Sequence, residues 1–315
     1  MTTAGASKFD AVSDVTERRE LTVQNGDVSL AGSVWMPSGT PATTLLMHPG
    51  SGPSDRDNDI FFPPIRRHLL DVGVAVCSFD KRGVGGSTGR WEEAAIIEQA
   101  DDALACLDVL CSDAVLEAPV GLFGHSQGGW VVVEAASRSP DVAFVVTSSG
   151  SGVTGEQERY ATRAYMSKAG IPETELDDVG RHIDLLVSMM RTRVSFEDVK
   201  TQIDAKGLPQ AFQSLRLPFL PDDAAVWDLM AAMIDYDPRQ ALERIRVPVL
   251  ALFGADNPIV PVQESVAVYG DAVRAPFLTV EVFAGADHRL QTGDPPALVD
   301  GYLQALADFV LRSVA

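Results

Sequence analysis

The sequence is poor in cysteine and in long apolar runs. Its only cysteines are Cys77, Cys106 and Cys111. The last two stand five apart on a predicted helix and face different directions, which does not suit a disulfide, and no spacing resembles a zinc site. No apolar run reaches the roughly 18 residues that cross a bilayer, and no basic segment followed by an apolar one marks a signal peptide. We therefore expect a cytoplasmic protein without a membrane partner.

Basic residues are also scarce. Lys and Arg total 25 against 44 Asp and Glu, which gives a formal net charge of -19. Such a chain repels phosphate backbones, so no nucleic-acid partner is expected. The glycines form neither a Gly-x-Gly-x-x-Gly after the first strand nor a Gly-Lys-Ser/Thr loop. No cofactor and no metal are predicted. The expected partner is a small-molecule substrate, and homo-oligomer formation is left open.

Short apolar runs alternate with helical patterns along most of the chain. Because the apolar runs are nearly continuous, they are typical of a parallel sheet with both faces covered, an α/β fold. Predicted strands cover residues 21–23, 28–35, 43–47, 74–79, 120–123, 142–146, 247–252 and 278–283. Predicted helices cover residues 64–72, 92–111, 129–137 and 298–312.

The alternation stops between about residues 150 and 239. This segment shows helical patterns over 181–194 and 224–234 and no convincing strand. We predict an N-terminal arm over 1–18, a core of 19–150 and 240–315, and a helical cap over 151–239 that covers the site. Large apolar residues of the cap would pack it onto the core or line a pocket: Leu185, Leu186, Met189, Met190, Phe212, Phe219, Trp227, Met230 and Met233.

One short motif indicates covalent chemistry. Gly124-His125-Ser126-Gln127-Gly128 follows a predicted strand and precedes a predicted helix. A sharp strand-to-helix turn of this composition exposes a nucleophilic serine, and its glycines make room for the turn. The alternative is a glycine-rich turn with an ordinary serine. We interpret Ser126 as a nucleophile.

A serine needs a base, and the base belongs on a loop after the last strand. Of five histidines only His288 occupies that place. His125 is expected to pack within the turn, and His182 lies on a cap helix. The acid that orients the base should follow the penultimate strand, and Asp256 is the only acid in that loop. The N–H of Gln127, the residue after the nucleophile, is a predicted oxyanion donor.

Four stretches resemble the α/β-hydrolase superfamily, most closely capped bacterial serine esterases and acyl-peptidase-like hydrolases. They are residues 50–57, 79–85, 124–128 and 286–288. The resemblance implies the α/β-hydrolase fold: a mostly parallel eight-stranded sheet, helices on both faces, and a cap inserted after strand six. It also implies the Ser51 N–H as the second oxyanion donor, with Gly50 as runner-up.

The sequence departs from this family at the acid. Relatives place it three residues after the glycine, where this chain has Asn257. Three possibilities stay open: Asp256 serves from one position earlier, Asn257 holds His288 without stabilising its charge, or another acid such as Glu156 substitutes. Nearby, Asp55, Arg56, Asp80 and Arg82 either recognise substrate or, the interpretation we favour, form a salt-bridge framework.

We predict a serine-dependent acyl or ester hydrolase for a small, partly apolar substrate. The irregular acid position keeps a second hypothesis open, in which the same scaffold performs elimination, cyclisation or acyl transfer in a biosynthetic pathway. A third, a non-catalytic binding protein, is disfavoured because binding needs neither the serine turn nor His288.

Overall fold

The computed structural model describes residues 17–113, 118–157, 166–167, 170–206 and 223–315. Most of the predicted arm, as well as Phe212 and Phe219, lies outside the described residues. Eight strands form one sheet: β1 (Glu17–Asn25), β2 (Val28–Met36), β3 (Thr43–His48), β4 (Val74–Phe79), β5 (Val120–His125), β6 (Val142–Ser148), β7 (Val249–Gly254) and β8 (Leu278–Phe283). A two-residue pair, β9 (Gln291–Thr292) and β10 (Ala297–Leu298), stands apart.

The strand order in the sheet is β1-β2-β4-β3-β5-β6-β7-β8. β1 and β2 form an antiparallel hairpin, and β2 is antiparallel to β4. The hairpin turns at Asn25-Gly26, where Gly26 has φ 58°, as expected for a two-residue hairpin turn. Every pair from β4 to β8 is parallel. The predicted mostly parallel eight-stranded sheet is confirmed.

The helices in the described part of the chain are α1 (Phe62–Asp71), α2 (Ile96–Cys111), α3 (Gln127–Arg138), α4 (Glu173–Arg191), α5 (Phe196–Lys206), α6 (Ala224–Met233), α7 (Arg239–Arg244), α8 (Val262–Ala272) and α9 (Tyr302–Arg312). The helix predicted over 92–111 begins only at Ile96, because Ala94 and Ala95 are extended. A 3₁₀ turn, Trp91–Glu93, precedes it.

The core lies on both faces of the sheet. Successive residues of β3 point to opposite faces, since side chains alternate along a strand. Leu46 joins the apolar cluster that includes α2, α3 and α8, whereas Leu45 and Met47 join the cluster that includes α1 and α9. Burial on both faces explains why these strands read as continuous apolar runs.

The described residues between β6 and β7 form helices joined by turns and loops, and none of them lies in a strand. Its helices α4, α5 and α6, here called the insertion helices, form a separate apolar cluster around the fully buried Trp227. α7 packs instead against α3 and α8. The insertion helices thus have their own apolar centre, distinct from the two that cover the sheet.

Candidate active site

The sharp turn at Ser126 joins β5 directly to α3. Ser126 has φ 54° and ψ -123°, a conformation that a non-glycine residue rarely adopts and that costs on the order of 1–3 kcal/mol. Two glycines make this turn sterically possible. A Cβ on Gly124 would lie 2.0 Å from Gly128 O, and a Cβ on Gly128 would lie 2.5 Å from His48 O. The Ser126 N–H donates to Ser148 O at 2.9 Å, which ties the turn to β6.

His288 lies on the loop after β8 and contacts the serine. Its Nε2 lies 2.9 Å from Ser126 Oγ, and its Nδ1 lies 3.2 Å from Asn257 Oδ1. The three side chains form a chain of hydrogen bonds from the loop after β7 to the turn after β5. Proton transfer from the serine to a histidine is geometrically direct here.

The amide of Asn257 is oriented by its neighbours. Its Oδ1 accepts hydrogen bonds from the backbone N–H groups of Ile259 at 2.9 Å and Val260 at 3.0 Å, and its Nδ2 donates to Ser149 Oγ at 3.3 Å. An oxygen that accepts from two backbone donors cannot be the amide nitrogen. It therefore accepts from His288 Nδ1–H, which leaves the Nε2 lone pair directed at Ser126.

The structure places the side chain of Asn257 within hydrogen-bond distance of His288 Nδ1. Asp256 is exposed, and its backbone N–H donates to Ala286 O at 2.9 Å. Glu156, the other acid considered, pairs with Arg191. Asn257 is the residue whose side chain contacts His288 Nδ1, which favours the possibility that Asn257 holds the histidine. Asp256 as the acid stays a prediction. In the turn after β7, the side chain of Asn257 is half-buried and contacts His288, whereas the side chain of Asp256 is exposed.

Burial governs the charge of the site histidines. It lowers the pKa of His288 to about 4, with Asp287 opposing and Arg289 adding to the shift. His288 is therefore neutral at neutral pH, as a base must be before it accepts a proton. His125 packs between Phe61 and His288, at ring centroid distances of 4.4 and 5.2 Å, and burial lowers its pKa well below the usual value.

The loop after β3 lies beside the serine and is held at Gly50. The Gly50 N–H donates to Asn58 Oδ1 at 3.3 Å, so this runner-up oxyanion donor is already engaged. Ser51 and Gln127 both line the cavity above Ser126. Neither of their N–H groups donates to an acceptor within the described residues. Two backbone donors are thus available beside Ser126.

The charged residues near this loop form ion pairs. Arg56 donates two hydrogen bonds to the Asp80 carboxylate, through Nε at 2.9 Å and Nη2 at 2.7 Å. Arg82 donates two to Asp102, through Nε at 2.7 Å and Nη2 at 2.8 Å. Asp80 is buried and also accepts from the Gly86 N–H at 3.1 Å. These contacts support the salt-bridge framework over substrate recognition for Arg56, Asp80 and Arg82.

Ser126 and His288 open onto a cavity of about 600 Å³. One wall comes from the sheet domain and includes Trp91, Trp130 and Ile259. The opposite wall comes from α6 and the residue after it: Val226, Leu229, Met230, Met233 and Ile234. Met233 Sδ accepts a hydrogen bond from Gln127 Nε2 at 3.1 Å, which joins that wall to the serine turn. A cavity of this size and lining suits a small, partly apolar ligand.

The sequence matches the alpha/beta hydrolase family over residues 45–300. The chain belongs to this family. It is 26% identical over 243 residues to a bifunctional esterase/perhydrolase from Acinetobacter calcoaceticus, a match that covers 73% of this chain and 79% of the relative.

Two solved structures resemble this alpha/beta hydrolase in fold. The Pyrococcus furiosus esterase Pf2001 superposes with a TM-score of 0.64 at 16% identity, over 95% of this chain and 92% of the other. Proline iminopeptidase of Mycobacterium smegmatis superposes with a TM-score of 0.65 at 18% identity, over 94% and 99%. At such low identity these likenesses show the fold alone.

Sequence reasoning missed two residues that hold the loop after β3. Asn58 was given no role, and Lys81 was only part of a family-like stretch. The available signal was a lysine placed two residues after a mostly apolar strand, at the carboxyl edge of the parallel sheet where the Ser126 turn also lies.

Among the residues that the structure describes, no cluster of three or more His, Cys, Asp or Glu side chains could hold a metal ion. All three cysteines are described, and all are free thiols. Among the described helices, none has both the length and the apolar character needed to cross a bilayer.

Proposed function

We propose that this alpha/beta hydrolase is a serine-dependent carboxylic ester hydrolase. One observation carries the proposal: the 2.9 Å contact between Ser126 Oγ and His288 Nε2, on a strained turn that opens onto a ligand-sized cavity. The esterase/perhydrolase relative from Acinetobacter calcoaceticus supports the choice of esters as substrates.

The proposed reaction proceeds in two halves. Ser126 Oγ attacks the acyl carbon while His288 Nε2 takes its proton, and the Ser51 and Gln127 N–H groups stabilise the oxyanion. The intermediate collapses, and the departing alcohol receives the proton from His288. Water then attacks the acyl-serine and loses a proton to His288. The second intermediate collapses, the bond between the acyl carbon and Ser126 Oγ breaks, His288 returns the proton to Ser126 Oγ, and the acid leaves.

We assign substrate selection to the cap, residues 151–239, over a core of residues 19–150 and 240–315. The support is that α6 supplies an apolar wall of the cavity that faces Ser126. Small acyl groups with some apolar surface would fill this space. Charged residues at the rim, Asp59 and Arg289, pair with each other at 2.6 Å.

Replacement of the nucleophile tests the function. Ser126→Ala should abolish hydrolysis of short acyl esters, because no other group can form the acyl-enzyme. Ser188→Ala, on the exposed side of α4, is the matched control and should retain the wild-type rate. Unchanged turnover in Ser126→Ala would overturn the proposal.

Asn257 favours a second candidate, acyl transfer to an acceptor other than water. A neutral amide does not stabilise the imidazolium that forms when His288 takes a proton, so activation of a weak nucleophile such as water suffers most. The test is partitioning of an ester between acid and hydroxamate in the presence of hydroxylamine. Acyl transfer predicts mainly hydroxamate, with the ratio falling in Asn257→Asp; equal ratios in both proteins would contradict it.

A further inference from the structure

Lys81 is a buried lysine that touches both segments of the proposed oxyanion hole. It lies two residues after β4 and is 8% exposed. Its Nζ donates to Gly50 O at 2.5 Å and to Gln127 Oε1 at 3.1 Å. Gly50 immediately precedes Ser51, and Gln127 immediately follows Ser126. One ammonium group therefore bridges the two backbone segments that carry the proposed donors.

The contact with Gly50 fixes the direction of the Ser51 N–H. In a planar trans peptide the carbonyl and the following N–H point in opposite directions. With Lys81 on the carbonyl, the Ser51 N–H must point away from Lys81. On the other side of the Gly50 Cα, the Gly50 N–H donates a hydrogen bond to Asn58 Oδ1, which further fixes this segment. A Cβ on Gly50 would lie 3.5 Å from Ser126 Cβ, so this peptide adjoins the nucleophile.

Within the described residues, Lys81 forms no ion pair. The nearby carboxylates are occupied, Asp80 by Arg56 and Asp102 by Arg82. Burying an ammonium group among neutral acceptors is costly. A neutral side chain would fill the same space at a lower cost in stability, which favours a role for the charge itself.

A charged donor on a carbonyl strengthens the hydrogen bond that the same peptide makes through its N–H. We propose that Lys81 is a positioning residue that orients and polarises the Gly50–Ser51 peptide, so that the Ser51 N–H stabilises the oxyanion more strongly. The inference rests on the proposed function of Ser126 and Ser51. It adds a residue that acts through the backbone and does not touch the reacting atoms.

The charge of Lys81 should be visible in the pH dependence. Burial lowers the pKa of Lys81 to about 7, so the group is charged below that pH and loses its charge as pH rises. Other groups around it are His48 on β3, Arg82 and Asp80 beside it, and Asp102 on α2. Burial lowers the pKa of His48 to about 3, while both carboxylates stay paired with arginine. We therefore expect kcat to decrease as the pH rises through about 7 and Lys81 loses its charge; this decrease is called the alkaline limb.

Two substitutions separate charge from packing. Lys81→Gln keeps a neutral donor, and should lower kcat by about 10- to 100-fold with little change in KM, less than the loss on removing a donor outright. It should also abolish the alkaline limb. Lys81→Arg keeps a charge that does not titrate, so it should retain most of the activity and lack the limb; a cavity beside Lys81 leaves room for the larger group.

The rates of wild type and of the variants that keep Ser126 are normalised by titrating competent sites with a fluorophosphonate, so that misfolded protein does not count; the rate of Ser126→Ala is given per folded protein measured by circular dichroism. Lys200→Gln, on the exposed side of α5, controls for net charge and should behave as wild type. A wild-type kcat with an unchanged alkaline limb in Lys81→Gln would overturn the proposal, as would equal losses in both Lys81 variants. Ser126→Ala is assayed alongside to distinguish failure of the Lys81 proposal from failure of the proposed function. If Ser126→Ala stays active, the proposed function itself is wrong.

Discussion

Asn257 lies where the resemblance to capped serine esterases leads to the expectation of an acid. In a serine protease, an Asp-to-Asn change costs about 10⁴ in rate, attributed to the wrong histidine tautomer. Here two backbone N–H groups, from Ile259 and Val260, hold the amide oxygen toward His288. The amide thus selects the productive tautomer. What it does not supply is a negative charge to stabilise protonated His288.

Restoring that charge should change the pH profile. In Asn257→Asp the carboxylate can accept the same three hydrogen bonds and favours the imidazolium, so the pKa of His288 should rise from about 4. The acidic limb of kcat/KM should move to higher pH by at least one pH unit. A pH series with a short acyl ester measures it. Asp256→Asn is the matched control and should leave the acidic limb of kcat/KM at the wild-type pH. A limb that moves in Asp256→Asn and stays in place in Asn257→Asp would mean that Asp256 is the acid that acts on His288.

At the level of elements, the turn between β5 and α3 was predictable and the loop that packs against it was not. The spacing of Gly124 and Gly128 after an apolar strand indicated the turn, because a side chain at either position would collide with the backbone when Ser126 adopts a positive φ. The roles of Asn58 and Lys81 depend on contacts between loops far apart in the chain, which periodicity does not report. The sequence likewise gives the order of Asp256 and Asn257 in their loop but not which of the two side chains contacts His288.

The close packing of this turn gives a second prediction. In Gly128→Ala, the new methyl group would meet His48 O and Pro49 O at 2.5 and 2.6 Å. Both are backbone atoms, so the loop that carries Ser51 must move. We expect kcat to fall by about 10²- to 10³-fold, as on loss of an oxyanion donor. Gly180→Ala in α4 has nothing within 4 Å of the added group and should keep full activity and gain slight thermal stability. Wild-type kcat in Gly128→Ala would contradict the account.

At the scale of the whole molecule, the sheet with helices on both faces was predicted correctly because the central strands, β3 to β7, are buried on both faces. The helical content between β6 and β7 was anticipated from the loss of alternation, and the starts of α2 and α4 were misplaced. The sequence does not predict which residues of the insertion helices line the cavity, because an apolar side chain on these helices can pack either against Trp227 or toward the cavity. Met230 and Met233 line the cavity; Met189 and Met190 belong to the buried cluster.

Filling the cavity from α6 should change selectivity without changing chemistry. Met230→Trp places a larger side chain opposite Ser126, so kcat/KM should fall more for long acyl esters than for acetyl esters. Labelling by a small fluorophosphonate should be unaffected. Ala232→Leu, on the exposed side of the same helix, is the control. An equal loss for all chain lengths would argue that α6 supports folding and does not select the substrate.

The central claim is that Ser126 is the nucleophile and His288 its base. The most direct measurement is mass spectrometry of the protein quenched in acid during turnover of an activated acetyl ester, followed by peptide mapping. The account predicts one acetyl group on the peptide that contains Ser126, absent in Ser126→Ala and strongly reduced in His288→Ala. Acetylation at another residue that persists in Ser126→Ala, together with undiminished turnover, would contradict it.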